Sequence, residues 1–187
     1  DGDFPFFGMF MGAVVENKEV NFIDALAQHQ VESKIWLIER LEKLNKNFNK
    51  GIFIGGWLGI SSYWAMERKL MKNVTNLDLD DNAIKFSDKL NSISKEHKMY
   101  KGIVGDASTH DYSEYDLVIN TSSEHMTEEW FDNIKEGTTV AIQTNDFHDI
   151  EEHINTVRNL KELEEKYPLS KVLFSGVKDC DRYNRFM

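Results

Sequence analysis

The apolar positions change period near residue 50. Between Val20 and Phe48, the residues Ile23, Ala27, Val31, Ile35, Ile38, Leu41, Leu44 and Phe48 recur at threes and fours, with charged residues between them. That spacing predicts one long amphipathic helix. The polar stretch 45–51, ending in Gly51, stops it. Beyond it, short apolar runs alternate with helical segments. The runs predict strands at 52–55, 74–79, 100–104, 117–120, 138–143, 172–177 and 183–187. Helices are predicted at 62–72, 83–96, 128–135 and 149–167, the last with Asp149 as cap, Glu152 three residues on and Pro168 past its end. Alternation of this kind predicts a doubly wound α/β fold with a mostly parallel seven-stranded sheet. The short polar link 178–182 makes the last two strands an antiparallel hairpin. Residues 1–50, an arm and a helix, form an N-terminal extension of the same domain, and residues 51–187 form its sheet.

Composition narrows the classes of partner. With 187 residues, 41% hydrophobic and 12% aromatic, the chain buries one sizeable core. A net charge of −10, with no basic run longer than Arg68-Lys69, argues against nucleic acid. Cys180 is the only cysteine, which excludes an intrachain disulfide and a zinc–thiolate cluster and fits a reducing, cytoplasmic setting. No run reaches the roughly 18 apolar residues of a membrane helix. The aromatic start, from Phe4 to Met11, lacks the basic flank of a signal peptide. It is expected to pack on its own domain, with a lid over an acceptor pocket or a contact between two copies as alternatives. The chain opens on Asp1 and stops in a predicted strand, so the reading allows for residues beyond both ends.

Candidate chemistry collects at the carboxyl ends of the predicted strands, where open α/β sheets bind ligands. The first strand breaks into Gly55-Gly56-Trp57-Leu58-Gly59, and the second ends on Asp78. A glycine turn brings backbone N–H groups close to a ligand, and an acid ending the next strand suits ribose hydroxyls, so the pair suggests a nucleoside site. Gly105-Asp106-Ala107 follows the third strand, and Asn120-Thr121-Ser122-Ser123-Glu124-His125 ends the fourth.

From Gly51 to Met187 the sequence resembles the class I S-adenosylmethionine-dependent methyltransferases, which have a Rossmann-like fold. The resemblance implies that the turn of Gly55, Gly56, Trp57 and Gly59 cradles the methionine part of S-adenosylmethionine and that Asp78 binds the ribose. It places Asp106 and Ala107 at the adenine, and Leu117–Asn120 on the fourth-strand motif that brings Asn120 to the cofactor. Two positions depart from the family pattern: Phe53 stands where an acidic residue is usual, and Trp57 where a glycine is usual. Trp57 is expected to pack over the cofactor or under the next helix. The fourth strand lacks the Asn/Asp-Pro-Pro-aromatic signature of DNA amino-methylating enzymes.

The resemblance implies methyl transfer to a small-molecule acceptor by direct displacement. Glu124 and His125 are candidate catalytic residues, placed to take a proton from the acceptor; the plainer alternative is that they only open the next helix. Aminocarboxypropyl transfer or cofactor cleavage, an NAD-dependent oxidoreductase and a non-catalytic binding module stay open as rivals, as does a homo-oligomer. His148 and His153 stand five apart, off a common helical face, and no HExxH pattern occurs, so no metal is expected.

Overall fold

The computed structural model describes residues 3–187, with side chains from Pro5 onward. The expectations on Asp1, Gly2 and the Phe4 side chain lie outside the described residues. The N-terminal extension is helical, as expected, but not one long helix. It comprises α1 (Asp3–Glu16), a 3-10 turn (Asp24–Leu26) and α2 (Gln28–Lys43). The buried face of α2 is Ser33, Leu37, Ile38 and Leu41. Ile23 and Ile35 are exposed, and Phe48 already lies in a strand. The spacing continued through a turn and into a strand because apolar residues at threes and fours also occur by chance across element boundaries.

The sheet is built on β1 (Phe48–Ile54), which pairs in parallel with β2 (Met71–Asp78) and β4 (Leu117–Asn120). With β3 (Tyr100–Val104) and β5 (Thr139–Ile142) the order is β3-β2-β1-β4-β5, all parallel. Strand order therefore reverses between β1 and β4, and the crevice outside their carboxyl ends is the place for a ligand. Successive residues of one strand serve opposite faces. Phe53, Leu117 and Ile119 pack with Leu37, Ile38 and Leu41 of α2 and with Ala65 of α3 (Ile60–Glu67). Ile52, Ile54 and Val118 pack with Trp130 of α6 (Glu129–Asp132) and Leu163 of α7 (Leu160–Lys166). Two helices lie between β2 and β3, α4 (Asp81–Leu90) and α5 (Ser92–Glu96), and Asp80 caps α4 by accepting from the N–H groups of Asn82 and Ala83. Phe10 and Ala13 of α1 are buried against Ala83, Phe86 and Leu90 of α4, so the aromatic arm packs on its own domain.

The expected seven-stranded sheet is replaced by five parallel strands and a separate three-stranded antiparallel sheet. The latter has the order β6-β8-β7, from β6 (Thr144–Asn145), β7 (Val177–Asp179) and β8 (Asn184–Phe186). The hairpin of the last two strands is present, and β8 joins it to β6. Gln143, the last residue of the strand predicted at 138–143, separates β5 from β6. Its side chain is clamped to α2, accepting from Ser33 Oγ at 3.2 Å and donating to the Ser33 carbonyl at 3.1 Å.

Two other predicted elements change. The helix predicted at 149–167 shrinks to α7, capped by Asn159 rather than Asp149. The preceding residues send their backbone donors across the fold: Asn155 N–H to the Glu124 carbonyl and Val157 N–H to the Asn145 carbonyl. The strand predicted at 172–177 begins only at Val177. Val172 and Leu173 are exposed, while Phe174 leaves the ladder to pack edge-on to Trp36 and under the Arg40 guanidinium.

Candidate active site

The loop after β1 is the first wall of the crevice. Gly55 and Gly59 have φ of 58° and 71°, and Trp57, between them, has φ of 46°. A left-handed tryptophan is costly, and two contacts hold it. Its N–H donates to Asp78 Oδ2 at 2.9 Å, and its carbonyl accepts from Asn76 Nδ2 at 3.1 Å. Asn76 is itself buried and donates to Ser87 Oγ at 2.9 Å. Trp57 lines the crevice and also packs against the apolar cluster shared by α3 and α4.

Asp78, at the end of β2, uses one oxygen for Trp57 and the other for the Asp80 N–H at 3.0 Å. Each carboxylate oxygen retains acceptor capacity for a ligand hydroxyl. Burial raises the pKa of Asp78, against the lowering effect of these N–H groups. Leu79, beside it, is 73% exposed although apolar, and offers a flat face into the same space. After β3, Asp106 Oδ1 accepts from the N–H and hydroxyl of Ser108, both at 2.8 Å, which lowers its pKa. The Ala107 carbonyl accepts from Tyr112 Oη at 2.7 Å.

The turn after β4 supplies the far wall. Glu124 is buried, with Oε1 accepting from Asn145 Nδ2 at 2.7 Å and from Arg185 Nη1 at 3.2 Å, while Oε2 has no partner among the described residues. Arg185, on β8, is equally buried. His125 is exposed and lies against His153, their ring centroids 4.7 Å apart. Together these walls enclose a cavity of about 460 Å³, within the range of small-molecule sites.

No family model matches the chain, and no curated protein does. Solved structures do. The N-methyltransferase NodS from Bradyrhizobium japonicum WM9 is 16% identical with a TM-score of 0.64, over 87% of this chain and 97% of NodS. NodS in complex with S-adenosyl-L-homocysteine matches at 12% identity and a TM-score of 0.63, over 97% of each chain. A mutant of MtNAS, in complex with S-adenosylmethionine, matches at 13% identity and a TM-score of 0.58, over 96% of this chain and 70% of that one. The fold is that of the class I S-adenosylmethionine-dependent methyltransferases. Identities this low carry the fold and nothing finer.

Within this methyltransferase fold the cavity gathers most of the residues singled out in the sequence. Gly55, Gly56, Trp57, Asp78, Asp106, Ala107, Glu124 and His125 all line it. Gly59 and Asn120 do not. Gly59 opens α3 and packs against Ser87 and Asn91. Asn120 is fully buried, shaping its turn by accepting from the Ser122 N–H at 3.0 Å and donating to Met126 Sδ at 3.2 Å. The spacing of His148 and His153 sets them on different faces only if they share a helix. Their segment is instead a turn, in which His148 bonds Thr156 and His153 faces His125.

Sequence reasoning missed the contribution of the N-terminal extension. Ser33 and Lys34 of α2 reach the cavity, as do Gln143 and Arg185 from the far strands. The available signal was polar: Gln30, Ser33 and Lys34 interrupt the side of α2 that elsewhere is apolar. Burial pushes the Lys34 ammonium down to about 8, and the nearby Arg185 charge acts in the same direction, while Asp24 and Glu124 oppose. Between pH 8 and the ordinary 10.5 the folded protein therefore holds fewer protons than the unfolded chain, and stability rises with pH across that window. Below pH 8 the cost of the buried charge is fully present. Lys34→Met is expected to melt at a higher temperature than the parent at pH 7, with the gain fading as pH approaches 10.5. Thermal melts at several pH values check this; a pH-independent difference would show that Lys34 keeps its ordinary pKa.

Proposed function

We propose that the chain binds S-adenosylmethionine in this cavity and transfers its methyl group to a small-molecule acceptor. The observation that carries the proposal is Asp78, which ends β2 beside the switch point and holds the glycine loop through the Trp57 N–H while keeping acceptor capacity for ribose hydroxyls. Gly55, Gly56 and Trp57 then lie along the methionine end of the cofactor. Leu79, Asp106 and Ala107 bracket the adenine, with Asp106 Oδ2 free to accept from the exocyclic amine. The net charge of −10 keeps nucleic acid out of the proposal.

In the proposed reaction an acceptor lone pair attacks the sulfonium methyl carbon in line with the carbon–sulfur bond. Bound S-adenosylmethionine would supply the methyl group, the bond's electrons would pass to sulfur to give S-adenosylhomocysteine, and the acceptor would lose a proton. Alignment supplies most of the rate. Glu124 and His125 face the acceptor side. His125 Nδ1 lies 3.2 Å from the Glu152 carbonyl, which only accepts, so Nδ1 carries the hydrogen and Nε2 a lone pair able to take the acceptor's proton. Glu124, tied to Arg185 and Asn145, orients this wall.

Asp78→Ala is expected to weaken S-adenosylmethionine binding by about 1–3 kcal/mol. Calorimetry on a variant with an unchanged circular dichroism spectrum measures it, and unaltered affinity would remove Asp78 from the ribose site. A second reading, transfer of the cofactor's aminocarboxypropyl arm, draws support from the likeness to MtNAS. That protein was also solved in complex with MTA and tNA, and matches at 15% identity and a TM-score of 0.53, over 73% of this chain and 55% of that one. Product analysis separates the two, since methyl transfer leaves S-adenosylhomocysteine and arm transfer leaves methylthioadenosine.

A further inference from the structure

We propose that Glu124, His125 and His153 form a binding site for a divalent transition-metal ion on the acceptor side of the cavity. The ligand-capable atoms of the three side chains lie within 4.8 Å of one another. Each ring has one nitrogen bonded to the backbone and the other left as a ligand atom. His125 Nδ1 and His153 Nδ1 meet the backbone carbonyls of Glu152 and Phe147 at 3.2 and 2.6 Å, so each Nδ1 carries hydrogen and each Nε2 presents its lone pair. Fixing the tautomer of a metal-binding imidazole through a backbone carbonyl is a common outer-shell arrangement.

The carboxylate points to the same conclusion independently. Glu124 is 3% exposed, and its Oε2 has no hydrogen-bond partner among the described residues although Oε1 has two. A buried carboxylate oxygen without a partner is expensive, and a cation satisfies it. Arg185 binds the opposite oxygen and leaves Oε2 open. Two ligands on one ion, at bonds of roughly 2.1 Å, stand about 3.4 Å apart in a tetrahedral array. Convergence by at most about 1.4 Å completes such an array, and the exposed His125 ring has room to supply it.

Two imidazoles and one carboxylate select zinc, iron(II) or cobalt(II) over magnesium and calcium, which favour all-oxygen shells. Three protein ligands leave open positions, and Glu124 and His125 line the cavity, so those positions face the bound acceptor. An ion there takes over from His125, because an acceptor hydroxyl or amine bound to it releases its proton more readily. That role rests on the proposed function; the site itself does not.

The test is calorimetric titration of the full chain, free of cofactor, with zinc chloride alone, alongside cobalt(II) chloride followed by its visible absorption. One ion per chain is expected. His153→Ala and His125→Ala, both at turns outside the core, should each weaken binding by about tenfold or more. His148→Ala should leave it unchanged, and magnesium should not compete. Absence of saturable zinc binding, or binding indifferent to both His125 and His153, overturns the site. Because no cofactor is present, failure to bind S-adenosylmethionine would leave the metal result standing, and the reverse also holds.

Discussion

Arg185→Met is expected to destabilise the protein by about 3–5 kcal/mol at neutral pH. Arg185 and Glu124 are each about 4% exposed in their side chains, with the charged groups 3.2 Å apart. The guanidinium also reaches the Thr121 carbonyl at 3.4 Å and Tyr183 Oη at 3.5 Å. Removing it leaves a buried carboxylate whose remaining partner is Asn145, and the penalty falls on the unpaired charge. Adding Glu124→Gln to Arg185→Met should recover much of the loss, since an amide can be buried more cheaply than an ion. Urea unfolding of the parent, the single variant and the double variant measures this, and a loss below about 1 kcal/mol would mean that the pair is effectively solvated.

Gly59→Ala ranks next, at an expected cost of about 2–4 kcal/mol. Two effects combine. The residue has φ of 71°, which a Cβ disfavours, and that Cβ would stand 1.8 Å from Ser87 Oγ. Ser87 cannot simply turn away, because its hydroxyl accepts from Asn76 and lies 2.6 Å from Tyr100 Oη. The same network holds Trp57 through Asn76, so the variant should also weaken cofactor binding although Gly59 does not line the cavity. Chemical denaturation together with S-adenosylmethionine titration checks both effects. Wild-type stability would show that the loop and α4 adjust freely around the added methyl group.

The parallel core was legible because its strands are short apolar runs, the first three closed by glycine or acid and the last two by polar residues. Ile52 to Ile54, Val74 to Leu77 and Leu117 to Asn120 are continuous buried runs, as expected of strands covered on both faces. The acid at the end of β2 and the glycine turn after β1 were legible for the same reason, since their chemistry is local. The C-terminal third was not. Asp149 and Glu152 carry the local signs of a helix start, yet the backbone there is committed to Glu124 and Asn145, and residues so far apart in sequence leave no periodic trace. Gln143 breaks a strand through a clamp to Ser33, 110 positions away. Lys34 and Arg185 reach the site by the same kind of long-range packing, and His153 reaches His125 in the same way. The apolar stripe 20–48 failed differently, by running through a turn that the spacing does not register.

Whether this cavity takes the cofactor is measured most directly by calorimetric titration of the purified chain with S-adenosylmethionine, S-adenosylhomocysteine and NAD, each alone. The prediction is saturable binding of the first two, one molecule per chain and weakened by Asp78→Ala, with no binding of NAD. Binding of NAD alone, or of none of the three by a folded protein, would contradict the proposed function.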